Sequence, residues 1–198
     1  MRLVLATRNR KKRVEIVEIL GDLGWELADL SDWPNLPEVE ETGDTFEANA
    51  RLKAVAVATG TANWALGEDS GLVVPALGGQ PGVFSARYAG RQGDDEANND
   101  KLLSELARLP DEQRTAYYVC TAALSDPLGH VLAVVEGRCQ GRIIHERRGR
   151  GGFGYDPLFE ITEYHRTFGE LSATVKHALS HRGRALRLLR PFLQAIKG

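Results

Sequence analysis

Apolar residues along the chain fall into short runs and periodic stretches whose spacing switches between the signatures of strand and helix. Residues 2–7 form a compact apolar run that predicts a buried strand, and Val14, Val17, Leu20 and Leu23 recur at helical spacing over 11–23. A strand that passes through a loop into a helix leaves backbone N–H groups aimed at the loop, where an anion can sit. A second strand is predicted over 25–30, after which Pro34 and Pro37 break the pattern. Asp44 with Glu47 makes a capping-box-like start for an Ala-rich helix that Gly60 ends. Residues 64–66 and 72–74 predict strand segments on either side of a polar turn, Glu68-Asp69-Ser70-Gly71. Asp94 or Asp95 caps a helix through Leu109, stopped by Pro110. Strands over 115–125 and 130–142 meet at Asp126-Pro127-Leu128-Gly129, a hairpin signal, and a Gly- and Arg-rich loop follows over 147–154. Leu186, Leu189 and Phe192 line one face of a last helix over 179–196, interrupted by Pro191. Helices and strands mix without repeats or a low-complexity break, which predicts one α/β domain over residues 1–198.

Composition narrows the classes. With 198 residues, 42% of them hydrophobic, and a formal charge of −2, the chain is neither disordered nor the strongly basic coat that general nucleic-acid binding requires. No apolar run approaches the roughly 20 residues of a membrane span, and the apolar start stops at Arg8, too short for a signal peptide. Cys120 and Cys139 are the only cysteines and form no Cys-x-x-Cys pair, which predicts two buried thiols in a cytosolic protein rather than a disulfide.

Four segments carry candidate chemistry. Thr7-Arg8-Asn9-Arg10-Lys11-Lys12 places a hydroxyl, an amide and several cations at a strand-to-helix junction, which suits a polyphosphate; the same residues also read as a solvated helix start. Cations there oppose the helix dipole, so a bound anion would offset their cost. Glu38, Glu40 and Glu41 in one loop, with Glu68-Asp69 further on, offer the hard oxygen ligands of Mg²⁺, which normally takes one or two carboxylates plus substrate phosphates. Neighbouring carboxylates can also divide metal binding from proton abstraction. Gly151-Gly152-Phe153-Gly154-Tyr155-Asp156-Pro157 holds two aromatics on a Gly-rich loop, able to stack on a base or simply to close the core. Lys176 with Ser180-His181-Arg182-Gly183 is the fourth. No His-x-x-x-His pair and no Gly-x-Ser-x-Gly elbow occurs, against zinc-protease and serine-hydrolase chemistry.

Taken in order, these segments resemble the inosine triphosphate pyrophosphatase family, the non-canonical purine nucleoside triphosphate pyrophosphatases. The resemblance rests on Ala6-Thr7-x-Asn9-x-x-Lys12, Glu41-Thr42-Gly43-x-Thr45-Phe46-x-x-Asn49-Ala50, Glu68-Asp69-Ser70-Gly71-Leu72, Gly78-Gly79-x-Pro81-Gly82-Val83-x-Ser85-Ala86-Arg87-Tyr88, the 151–157 segment and Ser180-His181-Arg182-Gly183. It spans nearly the whole chain. The family usually has Gly where Arg8 stands and small residues near Arg10, and Thr174-Val175 replaces acidic residues often found before the lysine.

The resemblance implies an elongated, two-lobed α/β fold with a mixed central sheet flanked by helices and a substrate cleft between the lobes. It implies hydrolysis of ITP, dITP and XTP to the monophosphate and pyrophosphate, with Mg²⁺, in a cytoplasmic homodimer. Carried over by position, Thr7, Arg8, Asn9, Arg10, Lys11 and Lys12 hold phosphates, Glu40 and Asp69 bind the metal, and Asp69 accepts the proton. Ser70, Phe153, Gly154, Tyr155, Asp156, Lys176, His181 and Arg182 contact the nucleotide. Neither a nucleic acid nor a membrane is an expected partner. A related pyrophosphatase for other modified nucleotides and a non-catalytic nucleotide sensor are the competing readings.

Overall fold

The computed structural model describes residues 1–197. Strands β1 (Arg2–Leu5), β2 (Glu26–Asp29), β3 (Trp64–Val73), β4 (Thr115–Ser125), β5 (Val131–Ile143), β6 (Phe159–Ile161) and β7 (Arg166–Thr167) form one sheet in the order β2-β1-β3-β4-β5-β6-β7. β1 is parallel to both β2 and β3, whereas the β5–β6 and β6–β7 pairs are antiparallel. Helices α1 (Arg10–Leu20), α2 (Phe46–Thr61), α3 (Asp95–Leu106), α4 (Ala173–Leu179) and α5 (His181–Lys197) accompany it. This is the α/β architecture with a mixed sheet and flanking helices that the resemblance implies. The chain leaves β1 through α1 to reach β2 on one side, then returns through α2 to β3 on the other. The carboxyl end of β1 is therefore a point where strand order reverses, the usual ligand position in open α/β sheets.

The chain divides into two compact units. The first comprises Met1–Asp69, Cys120–Gly137 and, of the described residues, 181–197; the second comprises Ser70–Val119 and Arg138–Ser180. In the first, alternate strand residues meet different helices, as a period of two requires. Leu3 and Leu5, Leu66, Ala122 and Leu124 pack with Ile16 and Leu20 of α1 and with Leu186, Leu189 and Leu193 of α5. Val4, Ala6 and Ala65 pack with Val57 and Ala58 of α2. α2 presses so close that a Cβ at Gly67 would lie 2.2 Å from the Ala50 carbonyl oxygen, so only glycine fits there. In the second unit, Leu102 and Leu106 of α3 share a core with Tyr118, Leu158, Phe159 and Phe168, where the Tyr118 and Phe159 rings meet edge-on at 4.7 Å.

Several expectations are corrected. The polar turn at 68–71 is the middle of β3, and the strand runs through it because Glu68 and Asp69 are both buried against cations that replace water. α1 buries Glu15, Ile16 and Leu20, while Val14 and Val17 are exposed; the carboxylate takes an inward position because Arg182 meets it there. Thr45, not Asp44, caps α2: its hydroxyl accepts from the Ala48 N–H at 3.1 Å, and the helix passes Gly60 to end at Thr61. Asp94 caps α3, which ends at Leu106 rather than Leu109. The last helix starts at His181 rather than at 179, and a separate short helix, α4, precedes it across Ser180, whose backbone is extended; Pro191 lies inside α5, and Leu193 rather than Phe192 is buried. β6 and β7 are too short for any periodicity to reveal. Cys120 and Cys139 are buried thiols rather than a disulfide, as expected, and among the described residues no helix is long and apolar enough to cross a membrane.

Candidate active site

The loop after β1 is built around Asn9. Its side-chain oxygen accepts from the Lys11 and Lys12 N–H groups at 3.0 and 3.2 Å, capping α1, and the Thr7 hydroxyl accepts from the Asn9 N–H at 3.1 Å. Arg8 donates to the Leu36 carbonyl at 3.0 Å. Thr7, Arg8, Asn9, Arg10 and Arg13, with Asp29 to Ser31 opposite, line a cavity of about 290 Å³. The first turn of α1 contains no acidic residue, so its positive end is reinforced by cations. Lys12 turns inward from this loop, its Nζ 2.8 Å from Glu68 Oε1.

Glu68 lies on the α1/α5 face of β3. Arg182, the second residue of α5, donates through Nε to Glu68 Oε2 at 2.7 Å and through Nη1 to Glu15 of α1. The Cys120 thiol donates to Glu68 Oε2 at 3.1 Å. Burial pushes the Glu68 carboxyl up, but the charges and hydrogen bonds of Arg182 and Lys12 outweigh it and hold the group well below the usual carboxylate range. Cys120 is raised, first by burial and then by Glu68, so it remains a thiol. Arg182 stays charged, because Glu68 and Glu15 outweigh the burial that would lower it.

Asp69, the next residue, points to the opposite face, under α2. Lys53 donates to Asp69 Oδ1 at 3.0 Å and to Glu41 Oε1 at 2.9 Å, and the Asn49 amide donates to Asp69 Oδ2 at 3.2 Å. Asn49 and Lys53 are one helical turn apart, so α2 presents both to the same carboxylate. Asn49 Oδ1 also accepts from the Gly43 N–H at 2.8 Å, tying the acidic loop to the helix. Burial raises the Asp69 carboxyl above its usual range, and Lys53 and Lys12 only partly oppose it. Burial pushes the Lys53 ammonium down, but Asp69 and Glu41 leave it raised. Glu40 is exposed on the loop; its neighbour Glu41 makes the contact with Lys53.

In the second unit, Asp156 organises the Gly-rich loop. Its Oδ2 accepts from the Phe153 N–H at 2.8 Å and from Lys176 Nζ at 2.6 Å. A Cβ at Gly152 would overlap that same oxygen at 1.9 Å, so the glycine makes room for the carboxylate. Lys176, buried in α4, lies 4.8 Å from the centre of the Phe153 ring, a cation–π distance. Tyr155 is buried and donates to the Ser85 carbonyl at 2.8 Å, so of the two aromatics it closes the core while Phe153 remains half-buried. Ser70 is half-buried in β3, and His181 is buried at the head of α5.

The structure thus brings Lys12, Glu68 and Arg182 together, and separately Asp156, Phe153 and Lys176. Residues without a role in the sequence reading complete the site of the first unit: Glu15 and Cys120 join the Glu68 cluster, and Asn49 and Lys53 hold Asp69 on the opposite face. Asn49–Lys53 spacing on a predicted helix was a visible signal; Glu15 was hidden among apolar neighbours, and Cys120 within a buried strand. Among the described residues no group of three or more His, Cys, Asp or Glu side chains is arranged to hold a metal by itself. The donors that fit a hard cation are Asp69 and Glu41, whose oxygens already converge on one ammonium; Mg²⁺ needs no fuller protein cage when phosphates supply further ligands.

The profile of the Ham1 family matches residues 3–192. The chain is 56% identical to the dITP/XTP pyrophosphatase of Rhodopirellula baltica over 96% of this chain and 92% of that one. It is 54% identical to the dITP/XTP pyrophosphatase of Geobacter sulfurreducens, over 97% and 96% respectively. A HAM1 protein from Coxiella burnetii has a structure that superposes with a TM-score of 0.89, at 40% identity over 98% of this chain and 99% of that chain.

Proposed function

Because the chain belongs to the Ham1 family, we propose that it hydrolyses non-canonical purine nucleoside triphosphates, dITP, ITP and XTP, to the monophosphate and pyrophosphate. The observation that carries the reading is Asp69: a buried carboxylate fixed by Asn49 and Lys53, its proton affinity raised by burial, next to Glu68, whose proton affinity Arg182 and Lys12 lower. A general base gains from a raised proton affinity, and burial shifts Asp69 in that direction.

In this reading water attacks the α-phosphorus and gives its proton to an Asp69 carboxylate oxygen. Asn49 and Lys53 fix that carboxylate in one orientation, so its free energy of positioning is met before substrate arrives. Thr7, Arg8, Asn9, Arg10, Lys11 and Lys12 hold the phosphates, their cations stabilising the charge that reaches the leaving pyrophosphate. Phe153 stacks on the purine, flanked by Gly154, Tyr155, Asp156 and Lys176, while Ser70, His181 and Arg182 contact the nucleotide. Asp69, with the carboxylates of the 40–41 pair, would hold Mg²⁺, which when bound polarises the phosphoryl oxygens. The protein works in the cytoplasm as a homodimer, a state that light scattering on the purified chain reads directly.

Incubation with dITP, XTP or ATP and Mg²⁺, followed by assay of monophosphate, pyrophosphate and orthophosphate, tests the reading. Pyrophosphate release from dITP and XTP with little from ATP is expected. Orthophosphate instead of pyrophosphate would overturn the reaction, and binding without turnover would favour a nucleotide sensor.

A further inference from the structure

The Phe153 backbone N–H is held by Asp156, but the peptide that follows it is gripped from another direction. Asp95 Oδ2 accepts from the Gly154 N–H at 3.0 Å, and Asn99 Nδ2 donates to the Gly154 carbonyl at 2.9 Å. Asp95 and Asn99 are one turn apart on α3, so a single helix face takes both polar groups of one residue. Asn99 also donates to the Asp95 carbonyl at 2.8 Å, which uses both N–H donors of its amide on carbonyl oxygens. The reversed amide would set oxygen against two carbonyl oxygens, so the orientation is fixed. Asn99 is buried, 1% exposed, and its Oδ1 has no partner among the described residues. A buried acceptor left unpaired is costly, and an apolar residue would fill the space without that cost. What asparagine alone contributes here is the grip on Gly154.

From this geometry we infer that Asp95 and Asn99 are positioning residues that set the Phe153 ring for the purine. The inference rests on the nucleotide reading given above. Phe153 is bounded by two peptide anchors, its own N–H on Asp156 and the Gly154 peptide on α3. With both in place the ring presents a fixed face; with the second released, the ring must be ordered again each time a base arrives, and binding rather than chemistry bears the loss. Asp95 acts through an acceptor oxygen, which an amide side chain also offers, whereas alanine offers none.

The test compares Asp95→Ala, Asp95→Asn and Asn99→Leu, alone and with Phe153→Ala, using dITP as substrate and inorganic tripolyphosphate as a base-free competitor. Asp95→Ala is expected to raise KM for dITP about fivefold to tenfold, within the range that loss of base stacking produces, with kcat changed less than about twofold. Asp95→Asn should restore most of the loss. The inhibition constant of tripolyphosphate should stay at the wild-type value, because phosphates do not touch Phe153. In a Phe153→Ala background Asp95→Ala should add almost nothing. Asn99→Leu should match Asp95→Ala; if it fails to fold, the Asp95 pair alone still decides. An unchanged KM, a KM effect that persists without Phe153, or a matching loss of tripolyphosphate affinity would overturn the inference. A wild-type chain that does not hydrolyse dITP would instead overturn the nucleotide reading.

Discussion

Glu68 and Asp69 are consecutive residues of one strand, both carboxylates and both buried, yet they live in opposite electrostatic worlds. Strand geometry sends them to opposite faces of the sheet. Glu68 enters a cluster with Arg182, Lys12 and Cys120, and two cations leave it ionised far below the usual range. Asp69 shares one ammonium with Glu41 and is left with raised proton affinity. The difference is one of charge balance rather than burial. A fully neutralised carboxylate fixes structure and makes a poor base; an under-neutralised one costs the fold something and stays reactive.

The largest expected break in this comparison is Asp69→Asn. Loss of a general base removes about 10²–10⁴-fold of rate, so kcat for dITP should fall at least that far. The same substitution should leave the urea midpoint at pH 7 unchanged or higher. The folded state raises the Asp69 pKa, so this group's contribution to stability is present below its ordinary value of 3.8 and is lost as pH rises through the folded value. At neutral pH the wild type therefore carries a charged carboxylate that the fold disfavours, and asparagine removes it. Retention of more than about a tenth of activity, far above what losing a base permits, would show that the proton goes elsewhere.

Glu68→Gln should do the reverse: a loss of stability before a loss of chemistry. Removing one partner of a buried ion pair costs about 3–5 kcal/mol, and here it leaves Arg182 with Glu15. The sign with pH is also opposite. The folded state lowers the Glu68 pKa, so its contribution is present above its ordinary value of 4.5 and is lost as pH falls through the depressed value. Denaturation curves of wild type and Glu68→Gln should therefore differ most at neutral pH and converge in acid. A constant gap down to pH 3 would mean that lost packing, not charge, sets the cost. Arg182→Ala would strand the same carboxylates, so any loss of nucleotide binding in that variant must be read beside its unfolding midpoint.

Much of this contrast was legible in the sequence, and its failure is instructive. The motif residues gave the fold class and both carboxylates, but period and polarity read 68–71 as a turn, since a strand with two adjacent charges looks exposed. What makes it a strand is Lys12, Lys53 and Arg182, contributed by α1, α2 and α5, and no local pattern reports a partner so distant in the chain. For the same reason the spacing of Val14 and Val17 points to a buried face, whereas α1 buries Glu15 and leaves both valines exposed. In the 151–157 segment the aromatics were visible but not their division of labour, because Tyr155 is settled by the Ser85 carbonyl and Phe153 by Asp156.

The smallest expected effect sharpens the comparison most finely. Cys120 gives Glu68 its third contact, a thiol donor 3.1 Å from Oε2, fully buried and raised in pKa so that it carries no charge. If charge balance is what separates Glu68 from Asp69, a neutral donor should matter little beside two cations. A typical hydrogen bond contributes about 1 kcal/mol, a thiol is a weaker donor than an amide or hydroxyl, and Cys→Ala leaves only a small void. Cys120→Ala should therefore cost about 1 kcal/mol or less in urea unfolding at pH 7 and leave kcat/KM for dITP unchanged. The pH at which stability falls in acid should hardly move, because Arg182 and Lys12 still hold the Glu68 carboxylate ionised. A loss approaching that of Glu68→Gln, or a shift of the acid transition toward neutral pH, would mean that Glu68 depends on its neutral donor as well as its cations, and the contrast with Asp69 would then be one of hydrogen bonding rather than charge.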